Sequence, residues 1–174
     1  MNVVIVYEDF AAGKHAQETY DFLVNQLGQD FDFNNQMWKF DVLENAKMRE
    51  LAVRDTAASD LVLVSTHGSG ELPDGTKCWL NQWAESKGSA KALVALVDRP
   101  VNLFGETSAI RSFLQVVARR AGVDFFGQPD DLPEREDDFS TEQIHDRAER
   151  TSLILTDFIH QTATADDTHW GINE

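Results

Sequence analysis

Five apolar runs, each followed by a segment whose large residues recur at spacings of three and four, constrain this chain more than any single motif. The first run, "VVIVY" at residues 3–7, precedes a glycine-containing turn and then Ala16, Tyr20, Leu23, Val24 and Leu27, a helical stripe that Gly28 ends. A second strand is expected around "QMWKFDV", residues 36–42, followed by a helix in "ENAKMRELAVRDTAAS" that turns Met48, Leu51 and Ala52 to one face. Residues 61–65 read as the third strand, 76–87 as a short helix carrying Trp79, Leu80 and Trp83, and "ALVALV" at 92–97 as the fourth strand. Ser108 is placed as the N-cap of a helix containing Ile110, Phe113, Leu114, Val117 and Ala121 and closed by Gly122, and "VDFF", residues 123–126, is the fifth strand.

Strands that alternate with helices pair in parallel, and strands that are apolar throughout are covered on both faces. The expected fold is therefore α/β, a three-layer sandwich with a five-stranded parallel sheet of order 2-1-3-4-5 and helices on both faces. That order puts a ligand crevice at the carboxyl ends of strands 1 and 3, where the loops "EDFAAGKH" and "STHGSGELPDG" face each other. After strand 5, "QPDDLPEREDDFSTEQ" holds two of the four prolines and reads as a solvated connection to a last helix. Ser140 with Gln143 resembles a capping box, and Ile144, Ala148, Thr151, Leu155, Phe158 and Ile159 form the stripe that closes the second face of the sheet. One domain over residues 1–162 results, with a C-terminal tail at 163–174 carrying Trp170 and Ile172.

Composition narrows the partners. The 174 residues, 42% of them hydrophobic, suit a single core. Thirty acidic residues against 15 basic ones give a formal net charge of -15, which repels nucleic acid and anionic membrane and favours a protein partner with a basic surface. The single cysteine, Cys78, has no partner for a disulfide and no metal-ligand spacing around it, as expected in a reducing compartment. No signal-peptide pattern opens the chain and no apolar run reaches the ~18 residues of a membrane span, so a cytoplasmic location is expected.

The second of the two loops carries a family pattern. Ser65-Thr66-His67-Gly68-Ser69-Gly70-Glu71-Leu72-Pro73 resembles the S-T-x-G-x-G-x-x-P loop that follows strand 3 in flavodoxin-like FMN domains, including those of diflavin reductases. The resemblance implies the flavodoxin-like fold and an FMN site in which this loop, Ser65 to Gly70, wraps the isoalloxazine, with Gly68 and Gly70 permitting close approach. It also implies a phosphate site after strand 1, where Gly13, Lys14 and the following helix N-terminus are the available donors. There the sequence departs from the family. Flavodoxins use a loop rich in Ser and Thr, whereas Glu8-Asp9-Phe10-Ala11-Ala12-Gly13-Lys14-His15 has no hydroxyl and two carboxylates. Phe104 after Asp98 only loosely echoes the second flavin loop.

The first loop is similar to a different relative. "VIVYEDF" looks like the start of response-regulator receiver domains, in which an acidic pair binds Mg²⁺ beside a phosphorylated Asp at the end of strand 3; Glu8 and Asp9 match that pair. Ser65 stands where the phosphoacceptor belongs, Val97-Asp98 where a Ser or Thr is wanted, and Phe126-Gly127-Gln128 lacks the lysine. Aspartyl phosphorylation is not expected. Glu8 and Asp9 remain candidate metal ligands that would leave a hard cation mostly water-held, and the plainer reading makes them caps of the loop or of the helix behind it. His67 beside Ser65 and Thr66 lacks the nucleophile-elbow pattern G-x-S-x-G. The sequence thus points to a small acidic module that acts by binding a protein partner or small ligand in the crevice, neither catalytic nor phosphorylated. The alternative is an FMN-binding electron-transfer protein whose acidic surface docks on a basic partner.

Overall fold

The computed structural model describes residues 1–68, 70–86, 88–97, 109–127 and 141–166, and within the last segment the side chains of 145 and 148–161. The elements run β1 (Asn2–Tyr7), α1 (Phe10–Leu27), β2 (Asn34–Lys39), α2 (Phe40–Leu43), α3 (Ala46–Ala57), β3 (Leu61–Thr66), α4 (Asp74–Glu85), β4 (Ala92–Val97), α5 (Ala109–Ala121), β5 (Asp124–Gly127) and α6 (Thr141–Asp166). All pairings are parallel, in the order β2-β1-β3-β4-β5 that the alternation of strands and helices implies.

The strands at the centre are apolar throughout because both of their faces are covered. Val4 and Val6 of β1, Val62 and Val64 of β3, and Leu93 and Ala95 of β4 pack with α2 to α5. Val3 and Ile5, Leu61 and Leu63, and Ala92, Val94 and Leu96 point the other way, toward α1 and α6. Burying each such Val, Leu or Ile contributes roughly 1.5–3 kcal/mol relative to exposure. The edge strand β2 is polar by contrast, and its Trp38 is fixed by an indole N–H donated to Asp55 at 3.2 Å.

Several boundaries differ from the sequence expectation. Helix α1 starts at Phe10, so residues 10–15 are helix rather than loop, because Asp9 supplies the cap. The second strand ends at Lys39, and Phe40 and Leu43 form a buried helical turn that fills the space beneath β2. Met48 and Leu51 are exposed, and Ala52 and Thr56 form the buried face of α3. The stacked rings of Trp79 and Trp83, with centroids 6.4 Å apart, are buried in the same core cluster as Ala52, with Val53 packed against it. The Trp79 indole N–H donates to the Thr56 hydroxyl at 3.3 Å in that contact.

Ala148, Thr151, Leu155 and Ile159 are buried and Phe158 half-buried, as the stripe on the last helix requires. That helix continues past residue 162 to Asp166. The expected caps at Ser108 and Ser140, the Ile144 side chain, residues 98–104, Gln128 and the Trp170 tail lie outside the described residues.

Candidate binding crevice

The loops after β1 and β3 meet at the carboxyl ends of their strands. The Glu8 N–H donates to the Ser65 carbonyl at 3.0 Å, and the Ser65 hydroxyl donates to the Ala12 carbonyl at 2.8 Å. Ser65 and Thr66 close β3 as buried residues, and the hydroxyl of Ser65 is thereby spent on holding α1 against the sheet.

Two carboxylates organise the space above. Glu8 Oε2 accepts the Thr66 hydroxyl at 2.6 Å and the His67 N–H at 2.8 Å, and the Gly68 N–H donates to the Thr66 hydroxyl at 3.2 Å. Asp9 caps α1 by accepting the Ala12 N–H at 3.0 Å, and each of its oxygens lies 3.0 Å from Nε2 of His67. The Ala12 N–H holds the Asp9 carboxyl below the ordinary aspartate range; partial burial pushes the other way, and the His67 imidazole lowers it further. A third carboxylate acts similarly at the N-terminus of α4: Glu44 Oε1 accepts the Gly75 N–H at 2.9 Å in the first turn, where the N-cap residue, Pro73, makes no side-chain cap.

Gly13 and Lys14 lie inside α1 and not in an open loop. The Gly13 N–H is bonded to the Asp9 carbonyl at 2.8 Å. A Cβ on Gly13 would stand 2.9 Å from the Tyr7 ring, so this glycine lets the helix lie against an aromatic side chain. Lys14 projects outward and pairs with Glu18 at 3.8 Å. Gly68 and Gly70 adopt φ of 74° and 78°, the left-handed region that explains glycine at both positions. Ser69 lies outside the described residues.

The arrangement therefore brings together Glu8, Asp9, Ser65, Thr66, His67 and Gly68, and turns Lys14 away. Sequence reasoning missed Phe10, which is 86% exposed beside the acid pair, and Glu44. Phe10 falls off the stripe of Ala16, Tyr20 and Leu23, and that offset was the available signal. Among the described residues no group of three or more His, Cys, Asp or Glu side chains is placed to hold a metal ion. None of the described helices is long and apolar enough to cross a membrane.

No protein-family model and no curated protein matches the sequence. Solved structures do. An azoreductase from Bacillus anthracis str. Sterne aligns with a TM-score of 0.60 at 11% identity over 90% of this chain and 99% of that one. Two-electron reduced flavodoxin from Megasphaera elsdenii aligns with a TM-score of 0.51 at 14% identity over 87% and 98% of the two chains. The chain has a flavodoxin-like fold. At these identities the flavodoxin-like likeness speaks for architecture, and the chemistry has to be argued from the crevice itself.

The phosphate of FMN is the sharpest test of that crevice. A dianion needs N–H donors at the start of α1, and here the Asp9 carboxylate takes that of Ala12. The Glu8 carboxylate likewise takes the donors that Thr66 and His67 bring to the loop. The two carboxylates at the α1 N-terminus and the β3 loop oppose the charge of a phosphate there.

Proposed function

We propose that this flavodoxin-like chain is a binding module whose crevice receives cationic side chains of a basic protein partner. The observation that carries this reading is the Asp9 carboxylate, seated on the N-terminus of α1 and against His67, with Glu8 beside it. A helix N-terminus with its own carboxylate in place no longer calls for an anion, and the remaining field at the crevice mouth is negative. The exposed Phe10 ring adds an apolar contact next to that field, a combination suited to a lysine or arginine stem with its charged head. The net charge of -15 steers such a partner from a distance.

Isothermal titration with a Lys/Arg-rich peptide tests this, comparing the native chain with Glu8→Gln/Asp9→Asn. Both amide side chains keep an acceptor oxygen for the existing hydrogen bonds and remove the two charges. Binding that weakens with salt, and that falls at least roughly tenfold in the double variant, is expected. Equal binding by both proteins would refute the crevice as the site.

The second reading, an FMN-binding electron-transfer protein, draws on the flavodoxin and azoreductase likenesses and on the left-handed glycines of the β3 loop. It requires the FMN phosphate to be held beside the Asp9 and Glu8 carboxylates.

A further inference from the structure

Helix α6 carries, besides its buried face, a small exposed apolar pair. Ala148, Thr151, Ser152, Leu155 and Ile159 are buried on its inner side. On the opposite side, at the i, i+3, i+4, i+7 spacing of one helical stripe, stand Arg150, Leu153, Ile154 and Asp157. Leu153 is 53% exposed and Ile154 44%, an apolar pair directed away from the core. Arg150 and Asp157 are both exposed, and neither forms an ion pair with another described residue.

We propose that this stripe is a two-fold interface with a second copy of the chain. Its charge pattern is self-complementary about the point between Leu153 and Ile154. Arg150 lies as far before that point as Asp157 lies after it. When two α6 helices pack antiparallel about a two-fold axis there, Leu153 of each meets Ile154 of the other, and each Arg150 meets the other copy's Asp157. An isologous interface demands this reciprocity, and both ion pairs form together. The pattern also selects its occupant, since faces of a chain with net charge -15 repel one another unless a local cation is matched to an anion. The α6 helix, 26 residues and ~39 Å long, gives the contact its length. The interface is independent of the crevice, which lies at the strand ends.

Sedimentation velocity across a dilution series of the full chain provides the test. Native protein is expected to dimerise. Arg150→Asp and Asp157→Arg should each raise the dimer dissociation constant roughly tenfold or more, because like charges then meet twice. An equimolar mixture of these two variants should recover native-like dimerisation, since every 150–157 contact is again between opposite charges. Leu153→Ser/Ile154→Ser should be monomeric while keeping the native far-UV circular dichroism and a cooperative melt, both side chains being solvent-directed. A native chain that stays monomeric throughout the series overturns the proposal. So does a dimer that single reversal leaves intact, or a mixture that does not recover.

Discussion

Asp9 and His67 come from loops 58 residues apart in sequence and meet with Nε2 of the imidazole 3.0 Å from each carboxylate oxygen. The same carboxylate caps α1, so one side chain ties the first helix to the loop after β3. Asp9→Ala should therefore destabilise the chain by about 0.5–2 kcal/mol through loss of the cap, and Asp9→Asn by less. Chemical denaturation of the two variants checks the difference.

The acid limb of stability follows from the same group. The folded Asp9 pKa is lowered, chiefly by the Ala12 N–H, so the folded state binds fewer protons there than the unfolded chain. Its contribution is full above the unfolded pKa and is lost as pH falls through the lowered folded value. Carboxyl NMR titration should find the Asp9 midpoint depressed, and His67→Ala should raise it only in part because the Ala12 bond remains. A full return to the ordinary aspartate value in that variant would contradict the ranking of causes.

Gly13 reports on packing. Gly13→Ala places a Cβ 2.9 Å from the Tyr7 ring, a clash expected to cost about 1–3 kcal/mol against a gain of ~1 kcal/mol in helix propensity. In a Tyr7→Leu background the clash is relieved and the substitution should become neutral or stabilising, a coupling that a double-mutant cycle measures.

The outward side of α3 should tolerate change. Leu51→Ser is expected to alter stability by less than ~0.5 kcal/mol, since Leu51 is 44% exposed. Leu155→Ala, in the core between α6 and the sheet, should cost about 2–5 kcal/mol. Urea melts of both variants decide whether the two helices have been assigned the right faces.

These contrasts show what the sequence made legible. The sheet order and the meeting of the β1 and β3 loops were readable because β1, β3 and β4 are apolar on both faces, which only a doubly covered parallel sheet explains. The inner face of α3 was not, because burial there fell to Ala52 and to Thr56, a polar residue whose hydroxyl accepts the Trp79 indole N–H from another helix. The start of α1 was misplaced because Gly13 looks like a turn residue until the Tyr7 ring against it is known. Glu8 and Asp9 were recognised as unusual, but their use depends on long-range partners: a carboxylate that accepts Thr66 and His67 cannot be told from a metal ligand by its neighbours in sequence.

A charge-free cap offers a gain-of-function check. Asp9→Ser retains a side-chain acceptor for the Ala12 N–H and removes the negative charge from the α1 N-terminus. It should bind FMN more tightly than the native chain does, which flavin fluorescence can follow. No gain in the folded variant would mean that Asp9 is not what opposes the phosphate.

The most direct measurement is a parallel fluorescence titration of the native chain with FMN and with riboflavin, which differ by the phosphate alone. With the Asp9 carboxylate on the Ala12 N–H and Glu8 on Thr66 and His67, both opposing an added negative charge, FMN is expected to bind no more tightly than riboflavin. FMN binding tighter than riboflavin by roughly tenfold or more would show a working phosphate site and contradict the account.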